Sequence, residues 1–239
     1  VSLYAQWALP EQQIFARLWR PDWSALLKVA KLGAPIGATS FAEVGLFSGS
    51  TIMMGWLGTV PLAAHGVALQ LTSLVFVVHV GLSGAATIRV GKAFGQNDAV
   101  TLRQGAIAGF VLSMVFTAFT VLAFVTMPKP LLSAFIDASD PDFDQIILYG
   151  SVLLLMAALF QVVDAAQVMA LGFLRGIQDT AVPMAMAVVS YWIIGLPGAY
   201  VFCFMLDWGG AGLWAGLAVG LSAAAVMLLV RFGVLLRRL

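Results

Sequence analysis

Six apolar runs, each long enough to cross a lipid bilayer, limit what this chain can fold into. A transmembrane helix needs about 20 mainly apolar residues. In lipid, only helices and closed barrels satisfy all of their own backbone hydrogen bonds. The runs cover residues 32–58, 62–88, 105–127, 146–174, 182–206 and 209–230. We therefore expect an all-α membrane protein whose six transmembrane helices form one bundle.

Composition agrees with a membrane setting and excludes some partners. The chain is 62% hydrophobic and 10% charged, and its mean hydropathy is +1.00, values far outside the range of soluble domains. A net charge of +1 gives no reason to expect nucleic acid, so lipid is the first expected partner. Cys203 is the single cysteine and is expected to be a small packing residue within an apolar run.

The basic residues predict an orientation. Lys and Arg near the ends of transmembrane helices stay on the cytoplasmic side. With the six predicted spans, one face holds eleven of the twelve, namely Arg17, Arg20, Lys28, Lys31, Arg89, Lys92, Arg103, Arg175, Arg231, Arg237 and Arg238. The other face has Lys129, beside an acidic loop with Asp137 and Asp140. Both ends of the chain are therefore predicted to be cytoplasmic.

The first residues are expected to form a linker. The stretch "PEQQIFARLWRPDW", residues 10–23, has the pattern of a short amphipathic helix lying on the membrane surface. We interpret residues 1–23 as a cytoplasmic linker and residues 24–239 as the six-helix bundle. Because the chain begins at Val1 without a signal-peptide pattern, we expect it to be part of a longer protein with earlier spans.

Small residues at four-residue spacing predict close helix packing. Such rows occur on the sixth run and twice on the first run, at Gly212, Gly216 and Gly220, at Gly33 and Gly37, and at Gly45 and Gly49. Pro35 and Pro197 lie inside apolar runs, where a missing backbone donor can bend a helix. Packing and static bends are the expected roles, with a hinge at Pro197 as the alternative.

Two carboxylates lie at matching depths inside different runs. Glu43 is 11 residues after Leu32, roughly 16 Å from that end at 1.5 Å per residue. Asp164 is 10 residues before Leu174 on a helix of opposite direction, roughly 15 Å from the same membrane face. No Lys or Arg is predicted at that depth. An unpaired carboxylate in a membrane should hold a proton or bind a cation, so we predict a cation or proton site at these residues.

Other polar residues in the runs are candidates for a supporting role. Gln161 and Gln167 lie three residues on either side of Asp164 and give one helix face a polar stripe. His79 falls near the same level, while His65 and Gln70 lie nearer the outer side. Hydrogen bonds between helices are the ordinary use of such residues, so for Gln70, Gln161, Gln167 and His65 a purely structural role is the competing interpretation.

Three blocks of this sequence resemble one transporter family. They are "KLGAPIGATSFAEVGLFSGSTIMMGWLGTVPLAAHGVALQ", "GLSGAATIRVGKAFGQ" and "FQVVDAAQVMALGFLRGIQDTAVPMAMAVVSYWIIGLPGAY". They are similar to the multidrug and toxic compound extrusion (MATE) transporters, in the C-terminal six-helix lobe of the NorM-like branch. The resemblance extends from about Asp22 to the end of the chain.

The resemblance implies one lobe of a twelve-helix antiporter. Such a protein exports organic, mainly cationic, drugs or metabolites across the bacterial inner membrane while Na⁺ or H⁺ enters, and it needs no cofactor. Its other lobe would be an N-terminal six-helix bundle that this chain lacks. The glutamate and aspartate that handle the coupling ion in the family match Glu43 and Asp164. The chain departs from the expected pattern at His79, where Pro is expected, and at Gly66, where Gln is expected.

Three alternatives stay open. A lipid-linked saccharide flippase of the same superfamily shares the architecture, and a structural membrane subunit would transport nothing. An intramembrane enzyme could use His65, His79, Glu43 and Asp164 as metal ligands or as acid and base. The sequence has no HExxH motif, and roughly 20 Å of helix rise separates the two histidines. We therefore favour a secondary transporter over an enzyme, and predict no catalytic residue and no metal beyond a monovalent cation.

Overall fold

The computed structural model describes residues 22–238, and in this part of the chain all the regular structure is helical. Six long helices and one short helix follow in order, α1 (Trp23–Leu57), α2 (Thr59–Gly95), α3 (Ala99–Thr126), α4 (Pro128–Ser133), α5 (Phe143–Gly176), α6 (Ala181–Met205) and α7 (Gly209–Leu236). The predicted surface helix of residues 10–23, with Arg17 and Arg20, lies almost wholly outside the described residues. The linker therefore stays a prediction.

The long helices coincide with the six apolar runs, and most extend beyond them. Five of them, α2, α3, α5, α6 and α7, are long and apolar enough to span a membrane. Helix α1 has 35 residues but is too polar to qualify by composition, so its passage through the membrane stays a prediction. The helices are longer than the apolar runs for a physical reason. An apolar run marks only the part of a helix inside the membrane, whereas the backbone hydrogen bonds of the helix continue into the charged turns outside it.

Local signals fix several helix ends. The Asp22 side chain accepts hydrogen bonds from the backbone N–H groups of Ser24 and Ala25, which caps α1. Asp98 caps α3 in the same way, through the N–H of Thr101 at 3.0 Å. Between α1 and α2, Gly58 has a φ of 126°, a conformation that favours glycine. Helix α4 was not predicted, although Pro128 at its first position is a known start signal.

Helix α5 lies at the centre of the bundle. It packs against α2, α3, α4 and α7, while α1 packs at the edge against α2 and α6. Small and hydroxyl residues bring α2 and α5 close together. The Ser83 hydroxyl donates to the Val168 carbonyl at 2.8 Å, and a Cβ on Gly172 would lie 2.2 Å from the Ser83 oxygen. The central helix is thus held by contacts in which backbones nearly touch.

The glycine row of the sixth run makes the close contact it predicted. A Cβ on Gly216 would lie 2.1 Å from the backbone nitrogen of Ala199, and one on Gly220 would lie 2.5 Å from the Cα of Gly195. On α1, added Cβ atoms at Gly45 and Gly49 would touch the side chains of Trp192 and Leu196, respectively. Gly33 and Gly37 meet nothing within 4 Å among residues 22–238, so the packing prediction does not hold there. Their four-residue spacing is present, but no helix of the part of the chain that the structure describes lies opposite it.

Helix α6 changes its winding twice. Two π-helical segments, Ser190–Gly195 and Val201–Met205, flank a short α-helical segment, Leu196–Tyr200, that contains Pro197. A π turn bonds each N–H five residues back instead of four. The structure therefore has a widened turn on either side of Pro197, and the bend expected there stays a prediction.

The outer surface of the bundle is apolar. Large hydrophobic side chains stand out from it, among them Phe41 at 82%, Ile88 at 74%, Leu148 at 73% and Phe119 at 70% exposure. An apolar surface of this extent marks a contact with lipid or another protein. It agrees with a multi-pass membrane protein.

Contacts identify which helix ends share a face of the bundle. Asp179, before α6, pairs with Arg231 near the end of α7 at 2.5 Å. Tyr149, near the start of α5, accepts a hydrogen bond from the N–H of Gly210 at 2.9 Å. The first contact marks one face and the second marks the opposite one, and the long helices alternate between them. Within residues 22–238 the basic residues thus gather at the Arg231 end, and Lys129 lies near the other.

We expect a cysteine placed at Asp140 to react with a membrane-impermeant thiol reagent added to intact cells. One placed at Gln96, at the opposite end of the bundle, should stay unlabelled until the membrane is opened. Both cysteines are placed in a Cys203→Ser background, which removes the single natural thiol of this chain. That thiol is buried. Labelling of the Gln96 position alone would reverse the predicted orientation.

Candidate functional site

A cavity of about 580 Å³ opens between α1, α2 and α5. Its lining residues recur every three or four positions on each helix, so one stripe of each helix faces it. The polar members are Ser40, Glu43, Ser48, Thr51, Thr72, Ser73, Asp164 and Arg175. The apolar members include Phe47, Phe76 and Phe160. A mixed lining of aromatic and sparse polar groups is typical of a small-molecule site.

The structure brings Glu43 and Asp164 to this one cavity. Glu43 comes from α1 and is half-buried, whereas Asp164 comes from the central helix and is 5% exposed. Glu43 Oε1 and Asp164 Oδ1 are both buried and have no hydrogen-bond partner among residues 22–238. Buried polar groups are nearly always partnered in folded proteins. Two unpartnered carboxylates in one cavity therefore indicate a place where a ligand completes the bonding.

Arg175 is the main departure from the sequence analysis. It was placed at the basic membrane face, and no basic residue was expected at the depth of the carboxylates, yet it lines the same cavity as Glu43 and Asp164. The reason is geometric, because 11 residues make three helical turns and put Arg175 on the same side of α5 as Asp164. The side chain is also long enough to extend along the helix.

The cavity holds two carboxylates and one guanidinium, from Glu43, Asp164 and Arg175. Within residues 22–238 the only ion pair is the one between Arg231 and Asp179, so Arg175 makes no direct pair with either carboxylate. With all three side chains ionised, the cavity carries one net negative charge. Nowhere in this part of the chain do three His, Cys, Asp or Glu side chains lie close enough to hold a metal ion. The charge balance suits a single monovalent cation or a proton.

The two glutamines beside Asp164 point away from the cavity. Gln161 accepts a hydrogen bond from the Thr120 hydroxyl of α3 at 2.9 Å. Gln167 donates to the phenol oxygen of Tyr191 on α6. Both are buried, and each keeps one polar atom without a partner in the described residues, Gln161 Nε2 and Gln167 Oε1. They tie α5 to α3 and α6, so any support they give Asp164 would come through its helix.

His65 lies behind one end of the cavity. The indole N–H of Trp214 donates to its Nδ1 at 3.1 Å, and its Nε2 lies 3.4 Å from the hydroxyl of Thr51, which lines the cavity. An indole nitrogen can only donate, so Nδ1 carries no proton and the neutral ring has its hydrogen on Nε2. The Trp214 ring also packs edge-on against Phe160, with centroids 5.4 Å apart. His65 and Trp214 thus pack behind two residues that line the cavity, Thr51 and Phe160.

The remaining candidates lie elsewhere. His79 is buried between α2 and α3, with Nδ1 at 2.9 Å from the Ser113 hydroxyl and Nε2 at 3.4 Å from that of Thr117. It does not line the cavity, and α2 continues through it without a break. Gln70 is exposed, although its neighbour Leu69 lines the cavity. A supporting role for either residue stays a prediction.

Some residues around the site gave no usable signal in the sequence. Tyr191 is fully buried and bonds to Gln167, but nothing in its spacing predicts a partner on another helix. Trp214 and Thr51 reach His65 only because three helices converge there. Arg175 is different, since its distance of three turns from Asp164 would have predicted a shared face.

These features define a class of protein, a multi-pass helical membrane bundle with a charged cavity between its helices. Residues 35–201 match the MatE family, and the chain belongs to this family. It is 44% identical over 226 residues to the "Probable multidrug resistance protein NorM" of Agrobacterium fabrum, a match covering 95% of this chain and 49% of that protein. The protein of the same name from Rhizobium meliloti is 42% identical, with 95% and 48% covered.

Solved structures support the same fold. A structure described as MATE in the bent conformation superposes with a TM-score of 0.85 at 17% identity, covering 99% of this chain and 52% of that one. The eukaryotic MATE transporter AtDTX14 gives a TM-score of 0.80 at 20% identity, with 96% and 51% covered. The chain thus spans about half the length of the relatives it matches, and its fold is that of one lobe.

Proposed function

We propose that this chain is the ion-coupled lobe of a multidrug efflux antiporter. Na⁺ or H⁺ moving inward would be loaded at Glu43 and Asp164 while an organic, mainly cationic, compound is exported. The observation that carries the proposal is the pair of unpartnered carboxylates that two helices place in one cavity. The name of the relatives, "Probable multidrug resistance protein NorM", supports export as the activity.

The chemistry follows from the charge of the cavity. One net negative charge held in a membrane is costly, and a proton or a bound monovalent cation removes it. A proton would bind a carboxylate oxygen directly, whereas Na⁺ would take carboxylate and hydroxyl oxygens as ligands. A cationic substrate is attracted by the same charge. The coupling ion and the substrate therefore compete to neutralise the same negative charge, and this competition is the simplest basis for exchange.

The membrane potential can supply part of the driving force. One positive charge that moves inward through 100 mV releases about 2.3 kcal/mol. Exchange also requires that the ion and the substrate favour different conformations, because a ligand shifts an equilibrium only by its differential affinity. We propose that the second six-helix lobe, which pairs with this one around a central cavity, provides those conformations by rocking. The location would be the bacterial inner membrane, with the basic face cytoplasmic.

The deciding experiment is transport by the full-length protein in proteoliposomes. An organic cation that fluoresces is loaded, and inward Na⁺ and H⁺ gradients are imposed separately at matched membrane potential. Export driven by either gradient supports the proposal and identifies the coupling ion. Export driven by neither one, with protein shown to be folded, would contradict it.

We expect residues 1–239, expressed alone, to leave cellular dye accumulation unchanged. The cavity described here is built by α1, α2 and α5 of one lobe, so half of the proposed central chamber would be missing. The measurement compares dye accumulation in cells with this chain, with the full-length protein and with neither, at equal membrane content. Export by the chain alone at the full-length rate would point instead to a homodimeric transporter.

A further inference from the structure

A second cleft lies between the beginning of α6 and the end of α7, away from the charged cavity. Its volume is about 330 Å³, and Met186, Met227, Val230, Arg231, Val234 and Arg238 line it. We propose that this cleft binds a phospholipid with an anionic headgroup. No step of the proposed transport function uses these residues, so the two proposals stand separately.

The lining has the polarity of a lipid molecule. On α7 the lining residues recur at three- and four-residue steps, which makes one stripe along the helix. The stripe is apolar at Met227 and Val230, and after them come two arginines, Arg231 and Arg238, with the apolar Val234 and Leu235 between them. The apolar run of this helix ends at Val230, so Met227 and Val230 lie at the edge of the hydrocarbon and both arginines lie beyond it, at the level of the headgroups. Acyl chain and headgroup would therefore both find a matching surface.

The geometry of Arg231 prepares it to bind an anion. Its Nε donates to Asp179 Oδ2 at 2.5 Å and its Nη2 donates to Oδ1 at 3.1 Å. This two-point pair fixes the plane of the guanidinium and uses two of its five N–H donors. The other three are left for a second acceptor. A phosphate, with several acceptor oxygens, suits such a preset donor group.

Asp179 neutralises the charge of Arg231, so the net positive charge at the cleft comes from Arg238. It is exposed at the mouth of the cleft, and no carboxylate in residues 22–238 lies within ion-pair distance of it. The described charges at the cleft thus sum to one net positive charge beside an apolar groove. Basic pockets between transmembrane helices at this level favour anionic lipids. A zwitterionic lipid would meet the same groove without the charge match.

The test measures lipid contact at the cleft itself. The purified protein carries Cys203→Ala and a fluorophore on Val230→Cys, a cleft position that is 60% exposed. The labelled protein is titrated with phosphatidylglycerol or phosphatidylcholine that carry identical brominated acyl chains. The bromine atoms quench the fluorophore when a lipid contacts it. We expect phosphatidylglycerol to reach half-quenching at about a fivefold lower mole fraction, the effect of one arginine near an anionic lipid. Arg238→Gln should abolish that preference.

Matched controls separate this site from general attraction to a basic surface. Arg237→Gln removes an equal charge at the adjacent, exposed position, which does not line the cleft, and should keep the preference. A fluorophore on Val219→Cys, roughly 16 Å deeper on α7, should show no headgroup preference. Met227→Trp fills the groove and keeps both arginines, so it should weaken quenching by phosphatidylglycerol. If the Met227→Trp protein does not fold, Val234→Trp is used in its place. Equal quenching by the two lipids, or equal losses for Arg237→Gln and Arg238→Gln, would overturn the proposal.

Discussion

Asp164→Asn is expected to abolish gradient-driven efflux while the protein still inserts and folds. Asparagine keeps the shape of aspartate and most of its hydrogen bonding but cannot bind a proton or balance the charge of a cation. Asp164 is 5% exposed and one of its oxygens has no partner in the described residues. Because removing an uncompensated buried charge relieves a cost, thermal stability should stay equal or rise slightly. Transport by matched amounts of folded protein in proteoliposomes should fall at least about tenfold, which corresponds to a rise of about 1.4 kcal/mol in the transport barrier.

The other carboxylate and a control complete this experiment. Glu43→Gln should have the same effect, and the double variant should be little worse than either single one, because residues that act together are not additive. Asp144→Asn makes the same chemical change in the first turn of α5, outside the cavity, and should transport normally. Full gradient-driven transport by Asp164→Asn would mean that this carboxylate is structural, and the proposed coupling mechanism would be wrong.

Gly216→Val is expected to destabilise the bundle more than any other single glycine substitution on α7. The nearest atoms to an added Cβ are backbone atoms of α6, with the Ala199 nitrogen at 2.1 Å and its Cα at 2.3 Å. Backbone atoms cannot rotate aside, so α6 and α7 would have to separate. Overpacking by a few atoms commonly costs about 1–3 kcal/mol, and a clash with a rigid helix should lie at or above that range. The readouts are the midpoint of thermal unfolding in detergent and the yield of monodisperse protein.

Gly233→Ala is the control for this prediction, at a position with open space. It lies on the same helix, and nothing in residues 22–238 comes within 4 Å of its added Cβ. Alanine favours helix over glycine by about 1 kcal/mol, so this variant should be as stable as the parent protein or more so. If both variants unfolded at the same temperature, α6 and α7 could not be as close as the structure has them.

The sequence predicted the positions of the membrane-spanning helices better than the contacts that individual side chains make. Apolar runs located the six long helices, because twenty apolar residues in a row have few other uses. Depth counting placed Glu43 and Asp164 at one level, and both line one cavity. It could not show that Gln161 and Gln167 diverge to α3 and α6. A helical repeat fixes the angles between residues but not the neighbour that each one meets.

The π-helical segments of α6 change how its sequence should be compared with that of relatives. A π turn holds about one residue more than an α turn, so residues after Gly195 are rotated relative to those before Ser190. A helical wheel drawn across the whole of α6 would put residues from different faces on one side. A relative that lacks the π segment could keep the same packing against α7 only by losing one residue there. A one-residue gap near Ser190–Gly195 in a pairwise alignment would then mark conserved geometry rather than divergence.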